Sequence, residues 1–366
     1  MKRIFAMCLA MIMVLTMLAS CGKKGDVTPE ETTDAIGGDV SDVIVPGPGV
    51  VPVPGETTGT PAPTPEGGSP VKEGQEYIMF GSYPQTMEDN DDICKALEEA
   101  AGDLPSASNA GKWTSYRYLS AGQKSDYMWY IDLEHEGAKY RGVYFTEYRS
   151  YIVTEAGTED NSFQDDNGFT KGTAYWFKYE PIKWRVLKEE GGKAFAVADK
   201  ILDSQSFNDA AMDSNYKTSE IRTWLNETFY SVAVSDAQQN FVESTKVDNT
   251  AGSTADPSNM YVCEDTEDDV LLLSYADATN SAYKFASDTD RMIMGTDYAA
   301  CQGLFVKSAA GNASQWWLRS PDGTDSQRSN RVKPEGLIGV NKTDVNTVGV
   351  LPAMTIILEA GDNATA

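Results

Sequence analysis

Pro181-Ile182-Lys183-Trp184-Arg185-Val186-Leu187-Lys188-Glu189-Glu190-Gly191-Gly192-Lys193-Ala194-Phe195-Ala196-Val197-Ala198 contains two apolar, β-prone runs around a glycine pair. Ile182 to Leu187 and Ala194 to Ala198 are expected to pair as strands about the Glu190-Gly191-Gly192 turn. Upstream, Tyr77-Ile78-Met79-Phe80 reads as a strand, and Gly81-Ser82-Tyr83-Pro84 as the turn that follows it. Asp91 to Ala101 predicts an amphipathic helix, with Ile93, Leu97, Ala100 and Ala101 along one side and Gly102 as its stop. Residues 103 to 180 mix polar turns with strands such as Tyr140 to Tyr144.

Downstream, Ile221, Trp224, Leu225 and Phe229 follow the 3.6-residue period, so Ser219 to Tyr230 predicts a helix capped by Thr218 or Ser219. A second helix is expected over Asp236 to Ser244. Val270-Leu271-Leu272-Leu273 reads as a buried strand running into a helix start at Ser274. Trp316-Trp317-Leu318 and Met354-Thr355-Ile356-Ile357-Leu358 read as further strands. Short, irregularly spaced strands with few helices indicate an α+β domain rather than a doubly wound sheet, which alternates strand and helix. No repeat of fixed period is visible.

The ends of the chain address location. Lys2 and Arg3 precede an uncharged run from Ile4 to Ser20, the length of a signal-peptide core and short for a membrane span. It ends Leu18-Ala19-Ser20-Cys21-Gly22, which resembles the bacterial lipobox. Cleavage before Cys21 and thioether attachment of diacylglycerol to its sulfur are expected, with two or three acyl chains for stable anchoring. An ordinary secretory leader with a chance cysteine is the alternative. Residues 1–20 are thus read as leader. Residues 21–75, rich in Pro, Gly and Thr, are read as a disordered tether. Val45-Pro46-Gly47-Pro48-Gly49-Val50-Val51-Pro52-Val53-Pro54 cannot form a helix, because proline lacks the amide donor and fixes φ. At roughly 3 Å per residue such a segment reaches on the order of 150 Å fully extended. Residues 76–359 form one folded domain, and 360–366 a disordered tail.

The charge balance is 30 Lys+Arg against 55 Asp+Glu, a net −25, and loss of Lys2 and Arg3 makes it two units more negative. So acidic a surface repels nucleic acid and anionic headgroups. Three cysteines remain beyond Cys21: Cys94, Cys263 and Cys301. Their pairing is open, one at least is unpaired, and no Cys-x-x-Cys exists to hold zinc or run thioredoxin-like chemistry.

Catalytic signatures are sparse. The single histidine, His135, lies in the charged run Asp132-Leu133-Glu134-His135-Glu136 and reads as a surface residue. No Gly-x-Ser-x-Gly, phosphate-binding loop or His-Glu-x-x-His occurs. Carboxylates are so numerous that no pair stands out as a glycosidase couple. Asp165-Asp166-Asn167-Gly168 and Asp322-Gly323-Thr324-Asp325 offer clustered oxygen ligands for a structural calcium, although neither fits the twelve-residue helical-hand loop and plain turns account for both. The aromatic residues are more distinctive. Trp316 and Trp317 fall on opposite faces of one strand, so one is expected in the core and the other beside Arg319 as a flat platform for a sugar ring or a partner side chain; the alternative is that both pack inside.

Five ordered motifs carry a resemblance: Phe80-Gly81-Ser82-Tyr83-Pro84-Gln85, Pro181 to Leu187, Ser219-Glu220-Ile221-Arg222-Thr223-Trp224-Leu225-Asn226, Leu272-Leu273-Ser274-Tyr275-Ala276-Asp277-Ala278 and Trp316-Trp317-Leu318-Arg319-Ser320-Pro321, and the closing Gly349-Val350-Leu351-Pro352-Ala353 is similar too. Together they resemble an uncharacterised domain family of bacterial surface proteins over residues 76 to 358. That pattern looks like the C-type-lectin-like superfamily, in the branch holding sulfatase-modifying factors and surface-displayed variable binding proteins. The resemblance implies that Tyr77 to Phe80 pairs with Met354 to Leu358 and that residues 300 to 345 form an exposed ligand surface. Two departures stand out: Thr86 to Glu180 separates motifs that usually lie together and reads as an inserted subdomain, and Leu351 replaces the usual arginine.

The expected function is a non-enzymatic module displayed at the cell surface, binding glycan or protein through Trp316, Trp317, Arg319, Asp322 and Asp325, without nucleic acid. A structural envelope lipoprotein is the alternative. An enzyme of the sulfatase-modifying-factor type is a third reading, with Cys263 and Cys301 as its reactive pair.

Overall fold

A computed structural model describes residues 68–116, 127–150, 163–210 and 212–358. The expected leader, lipidated Cys21, tether as far as residue 67 and tail lie outside the described residues. Among the described residues, no helix is long and apolar enough to cross a membrane.

The hairpin at 181–198 forms as its sequence dictates. β1 (Val71–Glu73), β2 (Tyr77–Met87), β3 (Thr114–Ser115), β4 (Met128–His135), β5 (Ala138–Phe145), β6 (Ala174–Glu190) and β7 (Lys193–Ala198) belong to one ten-stranded sheet. Gly191 and Gly192 both take positive φ, 58° and 75°, and Glu190 pairs with Lys193, so the turn is a two-residue link whose twist matches the strands. Alternation along β6 sends Ile182 and Trp184 into the main core, and the Trp184 indole donates to Phe80 O at 2.8 Å.

β6 is longer than the sequence suggested and organises the sheet. β2 runs antiparallel along one edge, from Tyr77↔Arg185 to Met87↔Phe177. The other edge is shared: β7 takes 184–190 and β5 takes 174–178. The expected turn at Gly81-Ser82-Tyr83-Pro84 is instead an interruption of register within a continuing strand. Gly81 permits it at φ 67°, where a Cβ would sit 2.6 Å from Ala233 O, so no larger residue fits that approach.

The inserted stretch therefore does not stand apart. β3, β4 and β5 extend the same sheet, and α1 (Asp91–Ala101) packs on them. Asn90 caps α1 by accepting from the Asp92 and Ile93 amides, and Gly102 closes it at φ 77°. A small cluster of its own, with Leu97 of α1, Trp129 and Ile131 of β4, Tyr144 of β5 and Trp176 of β6, fills the space beneath. Arg141 rivets the hairpin across strands, donating to both carboxylate oxygens of Asp132 at 2.8 Å with its guanidinium 4.5 Å from the Tyr130 ring.

The closing strand, Pro352–Ile357, pairs with β7, Leu271–Leu272 and Val242–Glu243. It does not pair with β2: β6 and β7 stand between the two, which corrects the first-to-last pairing implied by the lectin-like resemblance. What is shown is a mixed, sheet-rich fold with antiparallel sheets and few helices. The helix expected over Asp236–Ser244 is only a 3-10 turn at Gln239–Phe241, because Val242 and Glu243 extend to bond Ile356 and Thr355. The helix at Ser219 forms with Ser219 as its cap, but its centre, Leu225–Phe229, widens into a π-turn. Asn226 in that turn receives the Asp269 and Val270 amides through Oδ1 and donates to Val270 O, tying the helix to the next strand.

Residues 300–345 are not an irregular exposed surface. They supply Trp316–Pro321, Arg328–Val332 and Ile338–Lys342, three strands of a five-stranded sheet completed by Gly349–Val350 and Asp203–Ser204. Every residue of Trp316–Pro321 is buried.

Candidate functional site

The structure separates the residues that the sequence suggested as a binding patch. Trp316 and Trp317 are both wholly buried. Their strand is central and covered on both faces, so alternation sends each indole into a packed layer rather than one into solvent. The Trp316 N–H donates to Arg291 O at 3.1 Å and that of Trp317 to Gln205 O at 2.8 Å; Phe207 meets Trp317 edge-on at 5.7 Å. Neither forms a platform.

Arg319 is buried as well. Its Nη1 donates to Leu272 O and Asp277 Oδ2, and Nη2 to Asp248 O. Asp277 also closes the capping box of the helix that begins after Ser274. Arg319 is thus a clamp holding that helix start against the strand. Asp322 and Asp325 sit in the hairpin beyond it and bind their own turns. Asp322 receives Thr324 N and Oγ1, while Asp325 receives Gln327 N and pairs with Arg328. Asn167 of the other oxygen-rich turn spends its amide on Ala300 O and Leu304 O. Among the described residues no three His, Cys, Asp or Glu side chains gather as a metal set. Nothing in these contacts joins Asp322 and Asp325 to the tryptophans as one surface.

The three cysteines are free. Burial pushes the Cys301 thiol well above its ordinary range and raises that of Cys263. Burial, then the acidic residues around it, raises that of Cys94. All three environments favour the thiol over the thiolate nucleophile.

One carboxyl is displaced into the physiological range. Burial, then the neighbouring Glu220 charge, pushes Asp209 up to about 6. Its folded pKa lies above the unfolded value, so its contribution is full below about pH 4 and is lost as pH rises through 6. Asp209→Asn is therefore expected to stabilise the fold at pH 7.5 by about 1–2 kcal/mol, after allowance for the solvent-screened part of the side chain. Near pH 4 the two proteins should differ little. Urea midpoints for both at the two pH values measure this; equal differences at both would refute it.

A cleft of about 390 Å³ opens in the segment that the sequence marked as inserted. One wall is the end of α1, with Glu98, Ala101 and Gly102, followed by Leu104. The other is Gly172-Thr173-Ala174, which leads into β6. Trp113 and Trp176 line it as well, their rings 6.1 Å apart at 45°. Gly142 of β5 makes room for Trp176: a Cβ there would lie 2.6 Å from the ring. Both tryptophans are at least nine-tenths buried, at 4% and 2% exposure, yet neither indole N–H has a hydrogen-bond partner. A buried donor left unsatisfied costs about 1–3 kcal/mol, and both nitrogens are closed off from the cleft as well. Leu104 is 48% exposed at the rim.

Fold and cleft together define a mixed, sheet-rich domain with antiparallel sheets whose sheet extension carries a small aromatic-lined hollow. Residues 191–358 match the family model for a domain of unknown function (DUF6273). The match runs from the β6–β7 turn through the closing strand, so the cleft residues precede it. No curated protein and no solved structure gave a significant match.

Proposed function

We propose that the chain is a lipid-anchored surface protein whose folded domain binds an external ligand, glycan or protein, without transforming it, and that the cleft beside Trp113 and Trp176 is the binding site. The observation that carries this reading is the cleft of about 390 Å³ itself, lined by Trp113 and Trp176 with the half-exposed Leu104 beside them. Ligand sites are commonly concave and lined by apolar and aromatic side chains with a few polar atoms. The thiols, all shifted away from the thiolate, do not favour a sulfatase-modifying-factor-like enzyme. A purely structural envelope lipoprotein is the competing reading, and it gives the aromatic-lined cleft no role.

A glycan and surface-protein array probed with the mature chain tests this. Leu104→Ala at the cleft rim is expected to weaken any captured ligand about threefold while leaving the fold intact. Binding unchanged in Leu104→Ala and in Trp113→Phe refutes the cleft. The anchor is tested separately by mass: the native protein should begin at Cys21 and carry lipid, and Cys21→Ser should release it from the membrane fraction.

A further inference from the structure

Resting on the cleft as binding site, we infer that its occupant is a basic polypeptide segment that sets an apolar side chain into the cleft and lays its lysines or arginines along α1. The lining is mixed. Ala101, Leu104, Trp113, Ala174 and Trp176 are apolar, and Glu98 and Thr173 are the polar side chains among them. An apolar side chain carried on a polar backbone suits such a wall. Half-exposed Leu104 at the rim is apolar area for it to cover.

The charge beside the cleft chooses the partner. Between Glu88 and Lys112 the chain carries seven carboxylates against two lysines. All the carboxylates but Glu88 are exposed, and among the described residues none of the seven is in an ion pair, whereas lysines such as Lys183, Lys217 and Lys284 neutralise acids elsewhere. Their field reaches inward: burial, then the charges of Glu88, Glu98, Asp91 and Asp89, raise the Cys94 thiol on the same helix. Asp91 and Asp92 serve α1 itself, because acids suit a helix start. Glu98 and Glu99 do the reverse. They stand in the last turn, where the helix end is already negative and no basic residue accompanies them. Lys112 reaches that end but spends its ammonium on Ala100 O, not on the carboxylates. Two acids kept against the local rule, at the edge of an apolar hollow, mark a surface shaped for a partner. The carboxylates run along the helix, and among the described residues no three form a metal set, so a cationic chain fits them better than a single ion. A neutral sugar makes no use of them.

Fluorescence anisotropy of dye-labelled probes on the full mature chain tests this. The probes are the peptide Lys-Lys-Leu-Lys-Lys, its serine counterpart Lys-Lys-Ser-Lys-Lys, its acidic counterpart Glu-Glu-Leu-Glu-Glu, and cellobiose. The basic leucine peptide is expected to bind saturably and about tenfold tighter than the serine peptide, the scale of one buried leucine side chain, while the acidic peptide and cellobiose do not bind. Glu98→Gln with Glu99→Gln should weaken it about fivefold at about 20 mM salt and scarcely at about 200 mM, because exposed charges are screened. Glu227→Gln with Glu267→Gln removes the same charge from exposed positions on other elements and should leave the affinity unchanged. Leu104→Ala should weaken binding about threefold at either salt. If cellobiose or the acidic peptide binds in a Leu104-dependent way and the basic leucine peptide does not, the basic partner is wrong and the cleft stands. A basic leucine peptide that binds yet ignores both Leu104→Ala and the Glu98, Glu99 double variant places the site elsewhere, and both readings fall. Equal affinity for the leucine and serine peptides, or equal loss in the two double variants, reduces the contact to general attraction by an acidic protein and overturns the proposal. No binding of any probe overturns it too.

Discussion

Trp317→Ala is expected to cost about 3–5 kcal/mol of folding stability, the range for deleting a large aromatic from a close-packed interior. Trp317 has no exposed surface, lies edge-on against Phe207 and donates to Gln205 O. Its loss opens a cavity in the strand at the middle of the second sheet and leaves that carbonyl without its partner. Urea unfolding monitored by circular dichroism measures the effect. A change under 1 kcal/mol would show that the indole is not packed as described. The same experiment separates a core tryptophan from a platform. Removing an exposed platform reduces binding and spares stability, whereas this substitution should reduce stability first.

Arg319→Ala is expected to cost about 3–5 kcal/mol for a different reason. The guanidinium serves Leu272 O, Asp248 O and the Asp277 carboxylate at once, and withdrawing one member of a buried ion pair leaves the rest uncompensated. Arg319→Met keeps most of the side-chain volume and should recover the packing part only. Asp277 also supports the helix start at Ser274, so Asp277→Asn alone should destabilise, and the double variant with Arg319→Ala should lose less than the sum. Strict additivity in urea unfolding would remove the clamp from the account.

Local patterns proved readable wherever one rule governed a segment. Asn90, the spacing of Leu97 and Ala101, and Gly102 delimit α1 because caps and periodicity act within a few residues. Gly191-Gly192 specified its turn for the same reason. Errors arose where partners distant in sequence decided. Val242 and Glu243 left a helical pattern because the edge of the closing strand was free to bond them. Gly81 looked like a turn because glycine marks both turns and bulges, and only Ala233, far along the chain, distinguishes them. Alternation placed Trp316 and Trp317 on opposite faces correctly, but it cannot tell how many faces a sheet has covered. The cleft residues were the least legible. Leu104, Trp113 and Thr173 belong to no periodic run, and they meet only because β4 and β5 fold back on β6.

The long strand β6 also fixes how the molecule bears load. The chain enters the domain at β1 and the Tyr77 end of β2, while the cleft adjoins the Ala174 end of β6, and those ends lie at opposite extremes of one antiparallel ladder. If the chain is anchored by its N-terminus and holds a ligand in the cleft, as proposed, tension between the two pulls the strands lengthwise past each other. Their rungs must then break together rather than unzip singly, so the ladder resists load along that direction better than across it.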